Sequence, residues 1–303
     1  MYPHPVPAVW TRARRHFAVA LAAAALLWVG WGAPLPAGPR YTARWLAAGD
    51  VELRTLVAGH GDTTLLLLHG YGESLLTWRP LIDRLARQSR VVAVDLPGFG
   101  VSDKPAGTYD LASYRRRLGA FLRAHTQGPV VVIGHSMGGE IAAALALDHP
   151  DRVVALVLVA PAGHGINPLF ADTAGIASPA THWVASAISY VLPVHDPGWL
   201  REPPERAAYQ PAGDSAAARA ARQVLLQFDF AALTNRFREI RQPVLLIWGR
   251  QDPTIPFAIG EAIAAELPCR RFVTLQALHR PHQTAPDTVL NELRAFLARP
   301  GCG

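Results

Sequence analysis

The chain has two cysteines, one lysine and no acidic residue before Asp50. Each scarcity excludes something. Cys269 and Cys302 form no C-x-x-C and no Cys/His cluster at metal-ligand spacing, so neither a metal site nor a redox motif is expected. Cys302 stands next to the last residue, where a disulfide would have little chain to hold; pairing and compartment both stay open at this level. Lys104 is the only lysine among 29 basic residues, an arginine excess better explained by coding bias than by selection of a phosphate-binding surface. The formal charge of +6 is also uneven: Arg12, Arg14, Arg15, Arg40 and Arg44 give residues 1–49 a charge of +5 and leave the other 254 residues a net +1. A nearly neutral body argues against nucleic acid as a partner. Half the residues are hydrophobic, 17% are charged, and no internal repeat or low-complexity run occurs, so a large core forms and global disorder is excluded.

Charge is absent from Phe17 through Pro39, and Phe17 to Trp31 is a fifteen-residue apolar run preceded by three arginines. This is a targeting or anchoring element, a signal-anchor or a signal peptide, covering residues 1–40. Its length lies between the ~7–15 residues of a signal-peptide core and the ~20 of a full span. Trp28 and Trp31 at an interfacial position, and the lack of a strong A-x-A cleavage site after the run, favour a retained anchor. Either way the arginines stay in the cytoplasm and the body faces outward, anchored to the inner membrane, or secreted or periplasmic if the segment is cleaved.

Downstream, apolar runs alternate with helical patterns. Thr64–Leu68, Arg90–Val94, Val130–Ile133, Val153–Val159, Val244–Trp248 and Arg271–Leu275 read as strands buried on both faces. Leu75–Gln88, Leu111–His125, Met137–Asp148, Pro256–Leu267 and Thr288–Ala298 read as helices. The class is α/β, a mostly parallel sheet with helices on both faces. About 80 residues separate the strand ending at Val159 from the one beginning at Val244. They carry Trp183, Tyr190, Trp199, Tyr209, clustered prolines and a predicted helix over Ser215–Phe228. A structureless loop of that length is improbable, so residues 162–240 are read as a helical lid inserted between core segments 41–161 and 241–303.

Gly134-His135-Ser136-Met137-Gly138 follows a strand and opens a helix. In that setting a sharp turn exposes Ser136, Gly134 and Gly138 supply the room it needs, and the Met137 N–H points with the helix dipole at a developing oxyanion. Gly134–Gly139, reading GHSMGG, resembles the nucleophile elbow of the α/β-hydrolase superfamily. Three further stretches resemble that family in order, so the likeness spans residues 50–299 except the lid. His69-Gly70-Tyr71-Gly72 resembles its HG loop, which implies a second oxyanion N–H at Tyr71. Asp95–Ser102 resembles its DLPGFGxS turn, chiefly structural. Trp248–Pro256 resembles its GxxDxxxP loop and implies Asp252 as the triad acid; the loop Ala160–Gly163, where some relatives keep that acid, has no carboxylate.

A serine needs a general base, and histidine titrates near the working pH. Of twelve histidines, His279 lies in Leu278-His279-Arg280-Pro281-His282, which resembles the family's GHxPxxExP loop, with Leu278 for the usual glycine and Thr284 for the usual glutamate. His282 is the rival and otherwise a pocket-wall residue; His69 and His135 read as site-lining or structural. The order Ser136, Asp252, His279 matches the family's. The resemblance implies acyl transfer through Ser136 on a small-molecule ester with an apolar group, without metal or cofactor. The alternatives are hydrolysis of a carbon–carbon bond in a vinylogous diketone, for which relatives more often have asparagine before the serine, and a membrane-tethered binding protein with slow turnover. Serine at 136 argues against relatives with an aspartate nucleophile.

Overall fold

A computed structural model describes residues 41–166, 200–201 and 215–302. The apolar run Phe17–Trp31 lies outside them, as does most of the segment read as a lid, including Trp183, Tyr190, Trp199 and Tyr209. Among the described residues no helix is long and apolar enough to cross a membrane.

Among the described residues nine strands form one sheet: β1 (Tyr41–Ala48), β2 (Val51–Ala58), β3 (Thr64–Leu68), β4 (Arg90–Val94), β5 (Val130–His135), β6 (Val153–Val159), β7 (Leu200–Arg201), β8 (Val244–Gly249) and β9 (Arg270–Leu275), in the order β7-β1-β2-β4-β3-β5-β6-β8-β9. From β4 through β9 all neighbours are parallel; β1 and β2 pair antiparallel, and β2 pairs antiparallel with β4. Among the described residues, the six strands expected from apolar runs form within two residues of their predicted bounds. The β1–β2 hairpin was not among them. Its turn is Gly49-Asp50 with Gly49 at φ 70°, a conformation glycine adopts without steric penalty.

The period of two in each strand sorts side chains onto two cores. Leu66 and Leu68 of β3, Leu156 and Leu158 of β6, and Leu246 and Trp248 of β8 face one side, and Leu65, Leu67, Val157, Leu245 and Ile247 the other. On the first face lie α2 (Leu111–His125), α3 (Met137–Asp148), α4 (Ser215–Gln227) and α5 (Phe257–Glu266). On the second lie α1 (Arg79–Leu85) and α7 (Pro286–Ala298), through Leu81, Ile82, Leu290, Leu293 and Phe296. Each such side chain, fully buried, contributes roughly 1.5–3 kcal/mol of transfer free energy. Double-sided cover is why these strands read as continuous apolar runs; β9 departs from the expectation, being an edge strand with no fully buried residue.

The helix expected over Leu75–Gln88 is shorter and in two pieces. Leu75–Trp78 is a 3₁₀ turn capped by the Ser74 hydroxyl, and α1 follows with Pro80 in its first turn. Strand order reverses at β3, since β4 lies on one side of it and β5 on the other. Crevices at such a switch, outside the carboxyl ends of the strands, are where open α/β sheets bind ligands. The loops after β3, β5, β8 and β9 carry Tyr71, Ser136, Asp252 and His279.

Candidate active site

Three side chains from three loops form one hydrogen-bonded chain. The Ser136 Oγ lies 3.0 Å from His279 Nε2, and His279 Nδ1 lies 2.7 Å from Asp252 Oδ2. The other Asp252 oxygen accepts from the Thr254 and Ile255 N–H groups at 2.8 and 2.9 Å, so the carboxylate cannot rotate away. A carboxylate can only accept when ionised, so it fixes the His279 tautomer: Nδ1 carries the proton and Nε2 is free to accept one from Ser136. Burial lowers the His279 basicity below the usual histidine value, opposed by the Asp252 hydrogen bond and reinforced by the neighbouring His135. At neutral pH the ring is therefore the free base.

Ser136 sits between β5 and α3 at φ 54°, ψ −121°, a conformation that non-glycine residues avoid. Surrounding backbone holds it there: its N–H donates to Val159 O at 3.1 Å, and its carbonyl accepts from Gly139 and Ala162 N–H at 2.9 and 3.0 Å. A Cβ on Gly134 would lie 2.3 Å from Gly138 O, and one on Gly138 would lie 2.4 Å from His69 O. Both glycines are sterically required. Met137 is the first residue of α3, so its N–H has no intrahelical acceptor and lies at the positive end of the helix.

The loop carrying Tyr71 is drawn against this elbow. A Cβ on Gly70 would lie 3.1 Å from the Ser136 Cβ. His69 accepts from Leu96 N–H through Nε2 at 2.9 Å, which leaves Nδ1 protonated and donating to Gly70 O at 2.7 Å. Burial keeps His69 neutral by lowering its basicity. The Asp95–Ser102 turn is tied to the same loop: Asp95 accepts from Leu75 N–H and Val101 N–H, pairs with buried Arg54, and leaves no room for a Cβ on Gly100, at φ 51°.

Behind the triad lies a second group of polar residues, in which His135 and His282 meet Glu73 and Arg280, two residues to which the sequence pattern assigns no role. Glu73, buried, accepts from Gly70 N–H at 3.0 Å, lies 3.1 Å from His135 Nδ1 and accepts from Arg280 Nε at 2.6 Å. Burial alone would raise its carboxyl, but His135 and Arg280 more than offset it and hold it well below the usual glutamate range. His282 reaches Thr77 Oγ1 at 2.9 Å on the far side from Ser136, as a buried neutral ring whose basicity burial and His135 lower. Glu73 stands alone in an otherwise uncharged stretch, which is a signal, but its partner Arg280 is 207 residues away. Glu73, His135 and His282 bring potential metal-ligand atoms within 4.8 Å of one another. The Arg280 guanidinium on the same carboxylate opposes a further cation, and the group is read as an ion-pair network.

A family model described as alpha/beta hydrolase fold matches residues 63–286. Over 127 residues the chain is 41% identical to a 2-hydroxy-6-oxo-6-(2'-aminophenyl)hexa-2,4-dienoic acid hydrolase of Metapseudomonas resinovorans, covering 41% of this chain and 43% of that one. The chain thus matches less than half the length of that relative. A pimeloyl-[acyl-carrier protein] methyl ester esterase of Vibrio vulnificus is 26% identical over 264 residues, covering 82% of this chain and all of that protein, 100%. The crystal structure of a membrane phospholipase A described as a bacterial virulence factor superposes with a TM-score of 0.68 at 26% identity, covering 96% of this chain and 94% of the other. On the family match, the chain belongs to the alpha/beta hydrolase fold family.

Proposed function

We propose that the chain hydrolyses a carboxylic ester bearing an apolar acyl or alcohol group, through an acyl-enzyme on Ser136. The observation that carries this reading is the unbroken chain from Ser136 Oγ through His279 to Asp252 Oδ2. Ser136 Oγ attacks the carbonyl carbon as its proton passes to His279 Nε2. The oxyanion is held by the Tyr71 and Met137 N–H groups. The carbon–oxygen bond breaks, and the alcohol leaves with the proton that His279 returns. Water then attacks the acyl-enzyme, giving one proton to His279, and as the bond from the acyl carbon to Oγ breaks His279 returns that proton to Ser136 and the acid leaves. Similarity over 82% of this chain to an esterase and over 96% to a phospholipase supports an ester with an apolar part.

Export of the body is part of the same reading. Cys269 and Cys302 are disulfide-bonded, which suits an oxidising compartment beyond the inner membrane and supports the outward orientation read from Arg12 to Trp31. Residues 1–40 then act as a signal-anchor or a cleaved signal peptide, and 162–240 as the segment that selects the substrate.

The test is turnover of p-nitrophenyl esters of increasing acyl length by the full-length chain, beside Ser136→Ala. Turnover by the wild type alone, rising with acyl length, is the expected result. The 41% identity to a dienoic acid hydrolase favours a second reading, carbon–carbon hydrolysis by the same three residues. Ester inactivity with fluorophosphonate labelling of Ser136 would select it. No labelling of folded protein would select a binding protein instead.

A further inference from the structure

Four rings lie in sequence beside the nucleophile, each tilted against the next. His279 lies 4.7 Å from His135, His135 lies 4.5 Å from His282, and His282 lies 4.6 Å from Trp78, centroid to centroid. Three imidazoles this close cannot all be charged, because like charges at such distances disfavour one another. Which one carries charge is set by what faces its nitrogens.

His279 has Asp252 on Nδ1 and the Ser136 hydroxyl on Nε2, a donor when Nε2 is bare. His282 has the Thr77 hydroxyl on Nε2, while its buried Nδ1 has no hydrogen-bond partner among the described residues. A second proton on that ring would be buried without an acceptor. His135 differs from both. Its Nδ1 faces the ionised Glu73 carboxylate at 3.1 Å and its Nε2 faces the His279 main-chain carbonyl at 3.0 Å. Both are acceptors only, so each contact is a hydrogen bond only if both ring nitrogens bear hydrogen.

We propose that His135 is a buried imidazolium, held by Glu73, that positions the His279 main chain and sets the charge environment of the base. It is a positioning residue, since it does not touch Ser136 Oγ or the reacting carbonyl. The charged groups around it balance: Glu73 and Asp252 are negative, Arg280 and His135 positive, and the neighbouring His69, His279 and His282 neutral. Glu73 joins three loops at this point, bonding Gly70 N–H beside Tyr71, His135 beside Ser136, and Arg280 beside His279. A fixed cation next to His279 makes it a weaker base and a stronger acid. It therefore favours return of the proton to the leaving alcohol and keeps His279 unprotonated further into acid.

Two measurements on the full-length chain decide this. With histidine ¹⁵N-labelled, His135, assigned through His135→Asn, is expected to show two protonated ring nitrogens at neutral pH, against one each for His279 and His282. Glu73→Gln should remove one of the His135 protons. A bare nitrogen on His135 in the wild type overturns the proposal. The second measurement rests on the ester-hydrolase reading: in His135→Asn the acid limb of kcat/KM should move up by about one pH unit, as loss of a like charge at this distance implies. An unmoved limb in a variant of unchanged melting temperature overturns it, since a merely structural residue would lower activity without shifting that limb. Should no ester be turned over, the reading of function fails and the ring protonation still decides this proposal.

Discussion

The elbow around Ser136 and the loop around His279 are held in place by different physics. At the elbow the restraints are backbone: a strained φ at Ser136, four main-chain hydrogen bonds to its N–H and carbonyl, and two glycines whose hydrogens touch neighbouring carbonyls. At the base loop they are side-chain charges: Asp252 on the ring, His135 on the His279 carbonyl and Glu73 on Arg280. Steric restraints do not titrate, whereas charges do. The nucleophile should accordingly keep its position across pH, and the acid sensitivity of the site should come from the base loop.

Breaking the charge side gives the largest expected effect. Asp252→Asn keeps the shape but presents an amide N–H or a weaker acceptor to His279 Nδ1, so the ring loses its fixed tautomer. A fall of about 10⁴-fold in kcat is expected, with little change in KM. Steady-state kinetics check it, and a fall below tenfold would mean that the His279 tautomer does not depend on Asp252. On the steric side, Gly138→Ala drives a methyl group against His69 O and Leu68 O and pushes the Tyr71 loop off the elbow. An activity loss of about 10²–10³, the size of one oxyanion donor, is expected in protein that still melts cooperatively.

The covalent restraint also falls on the base side. Cys269 precedes β9 and Cys302 follows α7, so the disulfide closes a loop that contains His279 and its whole supporting segment. With the cysteines 33 positions apart, chain entropy gives at most about 3–4 kcal/mol. Cys302→Ser should lower the melting temperature under oxidising conditions and leave it unaffected by added thiol, while the wild type falls to the variant's value on reduction.

What was legible in the sequence follows the same division. Strands buried on both faces, and a turn with glycines two residues either side of a serine, leave local patterns, and the reading of 64–68, 130–133 and 244–248 rested on them. The hairpin 41–58 was missed because β1 and β2 mix buried positions with exposed ones such as Arg44 and Glu52, so no continuous apolar run announces them. The disulfide was left open because α7 brings the chain end back to β9, a proximity no spacing reveals. Glu73, His135 and Arg280 were unreadable as a unit for the same reason, being drawn together only by the sheet order.

On the elbow side one titrating group stands out. Glu140, in the first turn of α3, is fully buried, and among the described residues neither carboxyl oxygen has a well-formed hydrogen bond; the nearby Ala232 N–H, which opposes the effect of burial, is bonded to Asp229 O. Burial, with Asp229 adding to it, raises its carboxyl well above the usual glutamate value of 4.5. The folded protein thus holds a proton that the unfolded chain loses above that value. Stability from this group is present in acid and declines as pH rises through the unfolded value toward the folded one, by at most about 1.4 kcal/mol per unit. Glu140→Gln does not titrate, so its melting temperature relative to wild type should climb from pH 4 to pH 8. A constant gap would place a partner on the carboxylate.

The smallest expected effect separates strain from chemistry at Ser136 itself. Ser136→Ala and Ser136→Gly both remove the nucleophile and should be equally inactive. They differ in backbone: at φ 54°, ψ −121° alanine keeps the clash between Cβ and the main chain, whereas glycine has none. Relief of strain of roughly 1–3 kcal/mol is opposed by the roughly 0.5–1 kcal/mol of extra chain entropy glycine loses on folding. Glycine should therefore come out more stable than alanine by about 1 kcal/mol in denaturant unfolding. Equal stability would mean that the elbow relaxes once the hydroxyl is gone, and that hydrogen bonding of Oγ to His279, rather than the surrounding main chain, holds Ser136 in its strained conformation.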